Sequence, residues 1–159
     1  EMNKTMNPMV LPRLREELAE EVVFLDDNMM INQINMLSVK KIDPSIKVHV
    51  FTNVHQALDH IRRNPNTPRI IFTDLDMGVH SGWDFIAEYD ALHLPWPVNI
   101  MTASIAQEDM GKSNNFSCVR DYISKPARIQ QLQILLKLRP ITKKFISSKS
   151  VHPKGFVLL

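Results

Sequence analysis

The sequence predicts an α/β domain with a doubly wound, five-stranded parallel sheet in the strand order 2-1-3-4-5. Three observations predict it. Five short apolar runs alternate with segments whose apolar residues recur at helical spacing. Proline, glycine and asparagine punctuate the boundaries between them. Four of the five runs end in a polar residue suited to phosphate or metal, and that strand order makes those four consecutive neighbours.

Residues 1–20 form an N-terminal extension, acid-rich from 13 onward, and the folded domain is expected over 21–138. Its first strand is Val22–Asp26, ending in Asp26-Asp27. Met30, Ile34, Leu37 and Lys41 then keep helical spacing, and Pro44 closes that helix. The second strand, Ile46–Phe51, runs into Thr52-Asn53 with no charged group. Val54, Leu58 and Ile61 mark the second helix, stopped by the Asn64-Pro65-Asn66 turn. The third strand, Arg69–Asp74, ends in a carboxylate, and after Gly82 the residues Trp83, Ile86, Ala87 and Leu92 form a third helical stripe. Pro95-Trp96-Pro97 leads into the fourth strand, Pro97–Thr102. Segment 105–115 is the weakest helix, anchored only by Ile105, Ala106 and Met110 and interrupted by Gly111. The fifth strand, Cys118–Ile123, reaches Lys125-Pro126, and Ile129, Leu132, Leu135 and Leu136 complete the last helix before Pro140. Residues 139–159 are a basic tail.

At 159 residues, one domain with a substantial core is expected. Hydrophobic residues at 44% and charged ones at 23% are those of an ordinary globular protein, and no run is long and apolar enough to span a membrane. The N-terminus lacks a secretory pattern. Cys118 is the sole cysteine, which rules out an internal disulfide and fits a reducing cytoplasm; it reads as a small buried hydrophobe entering a strand. The net charge of +2 is unevenly spread. Of 19 Lys and Arg, eight lie from Tyr122 onward with no acid among them, which leaves 11 against 17 acidic residues before it. This basic third suits an acidic partner surface. No aromatic-interleaved basic stretch or helix-turn-helix pattern points to nucleic acid.

The predicted order faces Asp26-Asp27 with Asp74 at the switch point, beside Thr102 and Lys125. Three adjacent carboxylates repel one another and call for a cation; Mg²⁺ takes oxygen ligands and bridges carboxylates to phosphate oxygens. A carboxylate is a nucleophile toward phosphorus, and a lysine ammonium and a threonine hydroxyl can stabilise the transferred group. Taken singly, Asp26-Asp27-Asn28 also suits a helix cap, Asp74 a turn, and Lys125 a solvated position. In order, on four adjacent strands, they point to one site.

With these residues the chain resembles the response-regulator receiver domain of two-component signalling, the CheY-like family with its flavodoxin-like fold. The resemblance rests on Phe24-Leu25-Asp26-Asp27-Asn28, Phe72-Thr73-Asp74-Leu75-Asp76-Met77, Ser81-Gly82-Trp83, Met101-Thr102-Ala103-Ser104 and Ile123-Ser124-Lys125-Pro126. It implies a stand-alone phosphoacceptor rather than an enzyme with a separate substrate. By it, Asp74 is the phosphoacceptor, and Asp26 and Asp27 hold Mg²⁺ together with Asp74 and the backbone carbonyl of Asp76. Thr102 is the switch hydroxyl, Ala103 the small residue beside the phosphoryl group, Lys125 the invariant lysine, and Tyr122 the aromatic that rotates on activation. The implied partners are a sensor histidine kinase or histidine phosphotransfer protein and a downstream protein. A homodimer through the 105–138 face is a further expectation.

Gly78 stands where the family often has proline, which predicts a looser loop. His80 reads as a solvent-side loop residue, while Asp76 and Ser104 flank the site where phosphate lifetime is tuned. Asp74-Leu75-Asp76 also resembles the Asp-x-Asp motif of haloacid-dehalogenase-type phosphatases, though their acidic pair follows that motif instead of preceding it. A receiver-fold interaction module independent of phosphorylation is the third reading. The residues after Leu138 are too few for an output domain, so output by binding is expected.

Overall fold

The computed structural model describes residues 17–103 and 106–138. The short apolar runs become the strands of one sheet: β2 (Glu21–Leu25), β3 (Lys47–Phe51), β4 (Arg69–Asp74), β5 (Val98–Thr102) and β6 (Val119–Ser124). All pair in parallel, in the order β3-β2-β4-β5-β6, which is 2-1-3-4-5 when counted within this sheet. Every residue of β2 and β4 is buried, whereas the edge strand β3 is half-buried. Fully covered strands have no solvent face, so they carry apolar residues at successive positions.

Among the described residues five helices cover the two faces: α1 (Met29–Ile42), α2 (Val54–Arg63), α3 (Gly82–Asp90), α4 (Gln107–Ser113) and α5 (Ile129–Leu135). One core joins Val23, Leu25 and Ile71 to Leu58 and Ile61 of α2 and to Phe85 and Ile86 of α3. The other joins Val22, Phe24 and Phe72 to Val39 of α1 and Leu132 of α5, with the Phe24 and Phe72 rings stacked at 5.1 Å. Caps set the helix starts. The Asn28 side chain accepts from the N–H groups of Met30 and Ile31, Asn53 from Gln56, and Ser81 with Asp84 forms a capping box. Among the described residues no helix is long and apolar enough to cross a membrane.

The structure corrects three expectations. The α1 stripe faces outward: Met30, Ile34 and Leu37 are 71%, 45% and 59% exposed, while Asn32, Asn35 and Val39 are buried. Asn32 sets this roll, because its amide donates to the backbone oxygens of Asp26 and Phe51 at the ends of β2 and β3. Both bonds of its NH2 group tie α1 to the strand ends and hold this face inward. Ala87 and Ile129 also lie on exposed faces of their helices. The last helix stops at Leu135, where the Arg120 guanidinium donates to the Leu135 and Lys137 carbonyl oxygens.

The chain then forms β7 (Lys137–Leu138), which pairs antiparallel with β1 (Glu17–Leu18) and brings the end of the N-terminal extension against the domain. Cys118 is buried just before β6, as expected. The basic tail, Ser104 and Ile105 lie outside the described residues.

Candidate functional site

The carboxyl ends of β2, β4, β5 and β6 converge, and with them the residues that terminate each run. Asp26 follows β2, is fully buried, and accepts the Asn28 N–H at 2.9 Å through Oδ1. Asp27 beside it is exposed. Asp74 closes β4 and is 6% exposed. Oxygens of these three carboxylates lie within 4.8 Å of one another, so the expected acidic trio is assembled.

Lys125 reaches into it. Its ammonium stands 2.5 Å from Asp26 Oδ2 and 2.8 Å from Asp74 Oδ2. Its backbone is tied to the end of β5, where Lys125 N–H donates to the Thr102 carbonyl at 3.0 Å. Thr102 ends β5 opposite Ser124, is half-buried, and is followed by exposed Ala103.

Burial raises the Asp74 carboxyl above its ordinary value, with the Asp26 charge adding to the shift and Lys125 and the Asp76 N–H opposing it. Burial would lower Lys125, but its bonds to Asp26 and Asp74 outweigh that and hold it above its ordinary value. One ammonium faces three carboxylates here. The donor set is therefore all oxygen and short of positive charge, which fits a hard divalent cation.

The loop after β4 is shaped by two glycines. Gly78 adopts φ +69°, a left-handed conformation closed to proline, so it follows a path that a proline there could not. At Gly82 the chain packs onto the β4 end, with its N–H donating to the Leu75 carbonyl at 2.9 Å. The Asp76 side chain is exposed, and Met77 is tucked into the core. His80 is exposed, with its ring edge-on to His55.

Tyr122 lies on β6. Its ring is already buried, and its hydroxyl donates to the Asp109 carbonyl at 2.6 Å, tying β6 to α4.

A buried charge network around Glu21 and Arg69, at the opposite end of the sheet, is not announced by any of the motifs above. Its signal was available: Glu21 and Arg69 open two apolar runs that become register partners.

A family model described as the response regulator receiver domain matches residues 22–137. Solved structures share the fold. A response regulator receiver domain protein from Clostridium thermocellum aligns with TM-score 0.66 and 22% identity over 75% of this chain and 91% of its own. A two-component response regulator from Cytophaga hutchinsonii gives 0.67 and 21% over 75% and 95%. The Saccharomyces cerevisiae complex of the histidine phosphotransfer protein Ypd1 with the receiver domain of Ssk1 gives 0.59 and 23% over 72% and 84%. No curated protein matches at a significant level.

Proposed function

The chain belongs to the response regulator receiver domain family, and on that premise we propose that it accepts a phosphoryl group on Asp74 and signals through protein contacts. The donor is a phosphohistidine of a sensor kinase or histidine phosphotransfer protein. The observation that carries the reading is Asp74 held 2.8 Å from Lys125 within the same acidic cluster as Asp26 and Asp27. In the transfer, an Asp74 oxygen forms the new O–P bond as the P–N bond breaks. The electron pair stays on the donor imidazole nitrogen, which takes up a proton.

Asp26, Asp27 and Asp74, with the Asp76 carbonyl, would hold Mg²⁺, which when bound supplies positive charge against the phosphoryl oxygens. Lys125 supplies the second positive charge, and its ammonium can pass from the Asp74 carboxylate to the phosphoryl oxygens without leaving Asp26. The Thr102 hydroxyl donates to another phosphoryl oxygen, and the small Ala103 leaves room for it.

The outward apolar face of α1 supports docking of a donor protein. Met29, Met30, Ile34 and Leu37 are all exposed on the helix that starts beside Asp26-Asp27. The Ypd1–Ssk1 complex is a precedent for that partner class among proteins of this fold. Output is proposed through the 105–138 face, by Thr102 drawing toward the phosphoryl group and altering the hold of Tyr122 on α4. A cytoplasmic location goes with this reading. Incubation with a small acyl-phosphate donor, with and without Mg²⁺, tests it by intact mass: one phosphoryl adduct is expected with Mg²⁺ and none without.

A further inference from the structure

At the far end of the sheet from the acidic cluster, three metal-ligating side chains from three elements converge. Glu21 opens β2, His49 lies in the edge strand β3, and His60 lies in α2. His60 Nε2 is 2.7 Å and His49 Nε2 is 3.1 Å from the same oxygen, Glu21 Oε1. All three donor atoms fall within 4.8 Å of one another, and the two imidazole rings stand 4.4 Å apart. We infer that Glu21, His49 and His60 form a zinc-binding site that clamps the edge strand β3 and helix α2 to β2.

The donor chemistry selects the metal. Two imidazoles and one carboxylate oxygen suit Zn²⁺, whereas Mg²⁺ and Ca²⁺ favour all-oxygen sets. Read as a hydrogen bond to His60 and an ion pair to His49, the arrangement needs a proton on both Nε2 atoms. With those protons gone, three donor atoms within 4.8 Å of one another are available to one ion. Zinc bonds of about 2.0–2.1 Å in tetrahedral geometry separate ligand atoms by roughly 3.3 Å. Both separations from Glu21 Oε1 are somewhat shorter than that, so the rings need only ease apart. The His49 side chain is 41% exposed and can give way, and the same exposure leaves a side open for a water as fourth ligand.

The surroundings orient the carboxylate as metal sites require. Arg69, fully buried, donates from Nε to Glu21 Oε2 at 2.6 Å and from Nη2 to the Asn64 carbonyl at 2.5 Å. Glu21 Oε2 is thereby occupied and Oε1 is turned toward the histidines.

The test is calorimetric titration of the whole chain with Zn²⁺ in buffer holding Mg²⁺ in large excess, with thermal unfolding as a second readout. One equivalent is expected, with a rise in Tm. His49→Gln and His60→Gln should each weaken binding by about tenfold or more and abolish the Tm rise. His55→Gln/His80→Gln and Asp27→Asn, which remove the other histidine pair and part of the acidic cluster, should leave it unchanged. Because His49 is partly exposed, His49→Gln is expected to fold, and its Tm without zinc checks this. Wild-type affinity in the His49 and His60 variants, loss of binding in either control, or no zinc uptake by the wild type would overturn the assignment.

Discussion

Gly82 lies so close to Asp74 that a Cβ at position 82 would stand 1.9 Å from the Asp74 carbonyl oxygen and 2.8 Å from Leu75 Cα. Both obstacles are backbone, which cannot swing aside as a side chain would. The start of α3 is therefore pressed onto the residue that carries the chemistry. Gly82→Ala should cost about 3 kcal/mol, at the upper end of overpacking, and displace the β4 end. Urea unfolding checks the first effect. A loss below about 1 kcal/mol would mean that the loop has another way to pack.

Asp74 carries a cost of folding at neutral pH. Its carboxyl is raised above the ordinary 3.8, first by burial and then by Asp26. A raised carboxyl contributes stability below its unfolded value and loses it as pH rises through the folded one. Without Mg²⁺, Asp74→Asn should therefore be more stable than wild type at neutral pH. The gap should close as pH falls toward 3.8. Thermal unfolding across that range measures it, and a less stable variant at neutral pH would refute the argument.

Glu21 has the opposite sign. Burial would raise it, but the bonds from Arg69 and His60 outweigh that and hold it below its ordinary 4.5. Its contribution is present above that value and is lost as pH falls through the folded one. Glu21→Gln strands the buried Arg69 charge, so a loss of about 3 kcal/mol is expected at neutral pH, shrinking in acid. Equal stability of the two proteins at neutral pH, measured by urea unfolding, would rule out this role for Glu21.

The α1 face separates docking from chemistry. Leu37 is 59% exposed, so Leu37→Glu should change stability by less than about 0.5 kcal/mol. Transfer from a phosphohistidine protein that phosphorylates the wild type should slow about tenfold, equivalent to about 1.4 kcal/mol of lost docking energy. Phosphorylation by a small acyl phosphate should be unchanged. Equal slowing with both donors would place Leu37 in the chemistry and not in docking.

The sheet was legible because its strands are short apolar runs and because the polar residue at each end has a chemical reason to be there. Asp26, Asp27, Asp74, Thr102 and Lys125 were found from that pattern, and the structure gathers them at one edge. The roll of α1 was not legible. Periodicity counts apolar residues, and here two buried asparagines, one of them bonded to strand ends, set which face turns inward. The end of α5 was missed because its stop comes from Arg120, seventeen residues before Lys137. Long-range partners leave no local mark. Glu21 and Arg69 do open runs that become register partners, but nothing local marks His49 and His60 as meeting them.

The central claim is that Asp74 is the residue phosphorylated. Reductive trapping of the acyl phosphate after reaction with a small acyl-phosphate donor and Mg²⁺, followed by peptide mass spectrometry, tests it most directly. The account predicts a single modified position, Asp74, and no adduct in Asp74→Asn, whose fold survives. Modification at Asp26, Asp27 or Asp76 instead, or an adduct that persists in Asp74→Asn, would contradict it.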